Sequence, residues 1–215
     1  MSYAHIPIEH IKDPSLKRVF THASTLLADT YSMLGVRPRA RSQAGQCNSA
    51  VGLVLSCIVD GLATEVWPVE PVDDQLERMT ILVDKHLRWG RKADGWITKV
   101  EAAQVLYHEV RHPLVHDLGA DTRWRGRRRG FADAALILET RDQKRPSPDE
   151  LERVTTWPSN SPVIWTKEKT AVGLARFAVS APALYWHVKK LTSDLASDSA
   201  VLAQSLQRRT RRRVM

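Results

Sequence analysis

The chain has 215 residues, 43% of them hydrophobic and 26% charged, enough to bury one substantial core. Thirty-two Lys and Arg face 24 Asp and Glu, a formal net charge of +8 gathered in arginine-rich clusters, which points to a partner carrying phosphates. No apolar run approaches a membrane span and the N-terminal stretch lacks a signal-type apolar core, so no membrane role and a cytoplasmic location are expected.

In chain order, residues 14 to 34 carry Leu16, Phe20, Ala23, Leu27, Tyr31 and Leu34 at three- and four-residue spacing. That is the period of a helix with one apolar face. Asp13 suits the N-cap and Pro14 the first helical position. A second helix fits 48 to 66, with a stripe of Val51, Val54, Leu55, Ile58, Leu62 and Val66. A third fits 73 to 89, with Leu76, Met79, Val83 and Leu87 on one face and Asp73 and Asp74 at the end where the helix dipole favours them. A fourth runs from about Ile97 through Val100, Ala103, Leu106 and Val110. Residues 119 to 166 break the pattern: a Gly- and Arg-rich stretch is followed by strand-like segments at 135 to 139 and 162 to 165, which suit a short β-hairpin with long loops. Helix is then expected over 167 to 180 and over 182 to 206, followed by a frayed basic tail over 207 to 215.

The sum is an all-α fold: an up-and-down helical bundle of four to five helices, one domain over 1–215, with a polar Arg-rich insertion at 119–166. The two cysteines, Cys47 and Cys57, sit ten residues apart in or near one helix, too poorly placed to bridge each other. No Gly-rich phosphate loop follows a strand.

The stretch from Tyr107 to Gly119, YHEVRHPLVHDLG, concentrates the polar chemistry. His108-Glu109-Val110-Arg111-His112 has the H-E-x-x-H spacing that places two imidazoles on one helix face for Zn²⁺. Three features oppose a zinc site. Arg111 would set a guanidinium beside a dication. Pro113 disrupts the helix where ligands must be held rigid. Neither His116 nor Glu139 is a clear third ligand. Parsed from Arg111 to His116, the same stretch is R-x4-H. A straight helix would hold these two side chains about 140° apart, but the break at Pro113 lets them converge.

Arg111-His112-Pro113-Leu114-Val115-His116 resembles the R-x4-6-H signature of the HEPN superfamily, whose members carry Asn, Asp or His after the Arg. The resemblance implies a four- or five-helix bundle that dimerises and cleaves RNA without a metal or other cofactor. Arg111, His112 and His116 are then the catalytic residues. His116 serves as general acid or base, Arg111 holds phosphate oxygens, and His112 orients a group or supplies a second proton-transfer point. Seven residues beyond, Arg123, Trp124, Arg125, Arg127, Arg128 and Arg129 form a stretch suited to RNA, with guanidiniums for phosphates and an indole for an unpaired base. A small antitoxin protein is a further partner consistent with such a bundle. Two alternatives stand beside this reading: a non-catalytic helical module that binds RNA or protein, and a zinc-dependent hydrolase using His108, Glu109 and His112. Asp60 and Glu65 lie off the main stripe of the second helix, where each would either face solvent or reach toward Arg111 or His116.

Overall fold

A computed structural model describes residues 6–34, 48–66, 74–86, 103, 106–107, 135–139, 163–169 and 175–214. Among these residues five helices pack against one another: α1 (Pro14–Leu34), α2 (Asn48–Glu65), α3 (Gln75–His86), α4 (Ala181–Ser197) and α5 (Ser199–Val214). Three short strands, β1 (Ala135–Glu139), β2 (Val163–Lys169) and β3 (Ala175–Ser180), form one small sheet.

Helix α1 starts where its cap dictates. Asp13 Oδ1 accepts the Leu16 amide at 2.8 Å and the Ser15 hydroxyl at 2.6 Å, and the Asp13 carbonyl accepts the Lys17 amide. These bonds satisfy donors that the first helical turn leaves open. Of the expected stripe, Leu16, Phe20, Ala23, Leu27 and Tyr31 enter the core, and Leu34 is half-buried beside it. Helix α3 begins in the same way, with Asp74 Oδ1 accepting the Leu76 amide at 2.8 Å. Met79, Leu82 and Val83 are its buried face.

Helices α2 and α4 are buried more widely. On α2 the expected Val51, Leu55, Ile58 and Leu62 are joined in the core by Val59 and Ala63. On α4, Leu184, Tyr185, Trp186, His187 and Val188 are all buried. Five consecutive buried residues exceed one helical turn, so this part of α4 is enclosed on every side. Both α1 and α2 pack on α4. The start of α1 and the end of α2 share a bond partner, Arg209, so these two packed helices run antiparallel. Ala103 and Leu106 are also fully buried in this core.

Two helix expectations are corrected. In the span expected as helix over 167 to 180, the described residues are strand: β2 extends to Lys169 and β3 occupies 175 to 180. The three-residue spacing of Leu174 and Phe177 mimicked a helix, but β3 gains backbone partners on both edges. It pairs parallel with β1 and antiparallel with β2, with Phe177 opposite Leu136 on one side and Trp165 on the other. Pairing of this kind overrides local pattern. The hairpin is therefore β2–β3, while β1 joins it as a parallel edge strand. Secondly, the helix expected over 182 to 206 is two. Asp198 interrupts it and caps α5, its carboxylate accepting the amides of Ala200 at 3.0 Å and Val201 at 3.1 Å. Nor is the basic tail frayed from residue 207, since α5 continues to Val214.

Candidate functional site

The segment leading into the R-x4-H motif is anchored in the bundle. Ala103 is helical and buried, and Leu106 and Tyr107 fall in a wide π-type turn with Leu106 buried and Tyr107 half-buried. Such a turn carries an extra residue inside a helix and is frequent near functional sites. Arg111 follows four residues after Tyr107. Arg111, His112 and His116 lie outside the described residues, as do His108 and Glu109 of the zinc alternative. So do Arg123, Trp124, Arg125, Arg127, Arg128 and Arg129.

The two acidic residues weighed with the motif are described, and both have partners on neighbouring helices. Asp60 is buried rather than solvated. Gln75 Nε2 donates to both of its carboxylate oxygens at 2.7 Å, tying the start of α3 to α2. A buried carboxylate needs such donors. Glu65 is half-exposed, and its Oε2 lies 2.8 Å from Arg209 Nη2.

Polar chemistry gathers at two further places. At the first, the open carbonyl end of α2 meets α5. Arg208 Nη2 donates to the Thr64 carbonyl at 3.1 Å, and Arg209 Nη2 to the Glu65 carbonyl at 3.2 Å. The buried Ser205 hydroxyl donates to the Val66 carbonyl, and Arg209 Nη1 reaches the Ser15 hydroxyl at 2.7 Å. A helix C-terminus carries partial negative charge, so guanidiniums suit it.

At the second, the end of α3 approaches the junction of α4 and α5. Burial pushes the His86 pKa below its ordinary value. The carboxylates of Asp194 and Asp198 pull it back up, while Lys85 and Lys190 press it down. Lys190 is itself held by Asp194 at 2.7 Å, an i, i+4 pair visible in the sequence. Its neighbour Lys189 sits with Nζ 5.4 Å from the Trp186 ring centroid, and burial lowers its pKa. Trp186 in turn packs edge-on against Tyr185 at 4.8 Å, so both are core aromatics.

The chain matches no family model, no curated protein and no solved structure. Among the described residues no group of His, Cys, Asp or Glu is arranged to hold a metal ion, and no helix is long and apolar enough to cross a membrane. Sequence reasoning missed the α2–α5 end contacts. Their partners are 139 and 144 residues apart, and nothing local marks them.

Proposed function

We propose that the chain is a HEPN-like, metal-independent endoribonuclease that works in the cytoplasm as a homodimer. One observation carries the reading: an R-x4-H motif, Arg111 to His116, directly follows a segment whose Ala103 and Leu106 are buried in a helical bundle. Catalytic groups need fixed placement, and a packed segment just before them in the chain supports that need.

In this reading the 2′-hydroxyl of one nucleotide attacks the adjacent phosphorus and the 5′-oxygen of the next nucleotide departs. The product ends are a 2′,3′-cyclic phosphate and a 5′-hydroxyl. His116 takes the 2′-hydroxyl proton or returns one to the leaving oxygen, because imidazole titrates near neutral pH. His112 supplies the complementary transfer point. Arg111 holds the non-bridging oxygens as their charge grows, and it stays protonated throughout. A single protomer offers one such set. Two copies facing across a two-fold axis would double the charge and the proton-transfer groups, and C2 pairing is the commonest oligomeric solution. Arg123, Arg125, Arg127, Arg128 and Arg129 then steer the phosphate backbone while Trp124 stacks on a base. A toxin–antitoxin role, with a small neutralising protein, accords with such an activity.

The test is cleavage of single-stranded RNA in EDTA. The expected result is cyclic-phosphate ends, with His116→Ala slowing cleavage by about 10²–10⁴-fold while RNA still binds. Cleavage that needs a divalent ion and is lost on His108→Ala would instead favour the zinc hydrolase. Binding with no cleavage, unchanged by His116→Ala, would favour the non-catalytic module.

A further inference from the structure

The arginine-rich C-terminus is engaged with the protein itself, and the way it is engaged has a mechanical consequence. Helix α5 is joined to α4 through a single residue, Asp198. The Asp198 amide reaches the Leu195 carbonyl only at 3.4 Å, while its carboxylate and carbonyl serve the first turn of α5 instead. An N-cap has non-helical backbone geometry, so this is a joint where one helix ends and another begins. The apolar attachment of α5 is thin. Among the described side chains of α5, Val201 is the one buried hydrophobic residue, with Leu202 and Leu206 half-buried beside it.

What holds the far half of α5 is polar. Ser205 bonds the Val66 carbonyl, Arg208 the Thr64 carbonyl, and Arg209 the Glu65 carbonyl, the Glu65 carboxylate and the Ser15 hydroxyl. These contacts close the end of α2 and bind it to the start of α1. Every acceptor is a protein oxygen that a phosphate could replace. Three further arginines, Arg211, Arg212 and Arg213, follow in the last turn of the same helix, so five guanidiniums lie within six residues. A phosphate backbone offers the Arg208 and Arg209 guanidiniums full negative charges, whereas the α2 carbonyls offer partial ones.

We propose that α5 is a hinged clasp, pivoting at Asp198 and latched by Arg208 and Arg209, that a single-stranded phosphate backbone competes open. Opening exposes the carbonyl end of α2 and frees the start of α1. The inference stands apart from the ribonuclease reading, since Arg111, His112 and His116 take no part in it. For that reason the probe is an oligothymidylate strand about 20 nucleotides long, which carries phosphates but no 2′-hydroxyl for cleavage.

Hydrogen–deuterium exchange on the full chain at fixed ionic strength reads the clasp directly. The oligothymidylate should raise exchange about tenfold or more over residues 199–214 and at the end of α2, leaving the centres of α1 and α4 protected. Arg209→Ala should produce the same pattern without the strand. Arg209→Lys, which keeps the charge but not the fork of donors, should fall between. Faster exchange across all helices together would overturn the hinge, because α5 would then open only with the whole bundle. Unchanged or reduced exchange in α5 on adding the strand would overturn competition. An Arg209→Ala protein whose α5 exchanges like the parent would overturn the latch.

Discussion

Single residues decide where the helices of this chain begin, and the sequence shows most of them. Asp13, Asp74 and Asp198 each place a carboxylate on amides of the following turn. Donation from Ser15 and then Leu16 lowers the Asp13 pKa, so the capping carboxylate keeps its charge to lower pH than a free one. His86 works the other way, since burial disfavours its charged form. Its folded pKa lies below the unfolded value of 6.5, so the unfolded chain takes up a proton that the native chain resists. Stability is therefore full above the unfolded pKa and falls as pH drops through the folded one, levelling out once both states are protonated. Thermal melts through this window should show a declining midpoint for the parent chain. His86→Gln, which cannot titrate, should show a flatter profile over the same window. Equal slopes in the two proteins would mean that His86 is not the group responsible.

At the scale of elements, periodicity located α1 from end to end and most of the core face of α2; on α3 it found Met79 and Val83, but it also named Leu76, which is only half-buried, and missed Leu82. Each of those faces is set by residues three and four apart on one helix, information that lies within a few turns of chain. The sheet was legible only in part. The strand composition of ALILE is local, but its parallel partner at 176 to 180 follows about 40 residues later, and no sequence period encodes that register. The break at Asp198 was missed because the apolar stripe of α4 continues across it to Val201, and a stripe does not record a change of backbone direction. The enclosure of α4 carries a stability consequence. Leu184 is fully buried in the part of α4 that is covered on all sides, so truncation leaves a cavity its neighbours cannot easily fill. Leu184→Ala should cost about 2–5 kcal/mol. Val19→Ala, on the half-buried flank of α1, should cost clearly less. Urea unfolding with unchanged m-values would read both. Equal costs would contradict the central position given to α4.

For the whole molecule, charge is the property the sequence states most directly and assigns least. The excess of +8 comes from arginines in several places, and sequence alone reads those of 123 to 129 as an RNA surface and those of 207 to 215 as a frayed basic tail. The structure gives Arg208 and Arg209 a different employment, on the carbonyls and carboxylate at the end of α2. Nothing local distinguishes them from Arg127, Arg128 and Arg129, because their partners Thr64, Glu65 and Ser15 lie more than a hundred residues earlier in the chain. Of the stripe read ahead of the motif, Ala103 and Leu106 are buried as their spacing implies, while Val100, Val110 and Arg111 to His116 lie outside the described residues. If the arginines of 123 to 129 serve RNA, their removal should alter binding and not folding. Replacing Arg127, Arg128 and Arg129 with Ala lowers the net charge from +8 to +5, counting three cations lost. Each phosphate contact to a single strand contributes about 0.7 to the slope of log affinity against log salt, so losing three should flatten that slope by about 2. The loss should be uniform across RNA sequences, because phosphate contacts position the strand without reading its bases. Trp124→Ala should weaken binding with little change in slope, since stacking releases no counterions. Fluorescence anisotropy across a salt series measures both slopes, and urea midpoints check that the fold is kept. An unchanged slope with a lowered urea midpoint would assign these arginines to the fold, as Arg208 and Arg209 are, and would move the RNA surface elsewhere on the molecule.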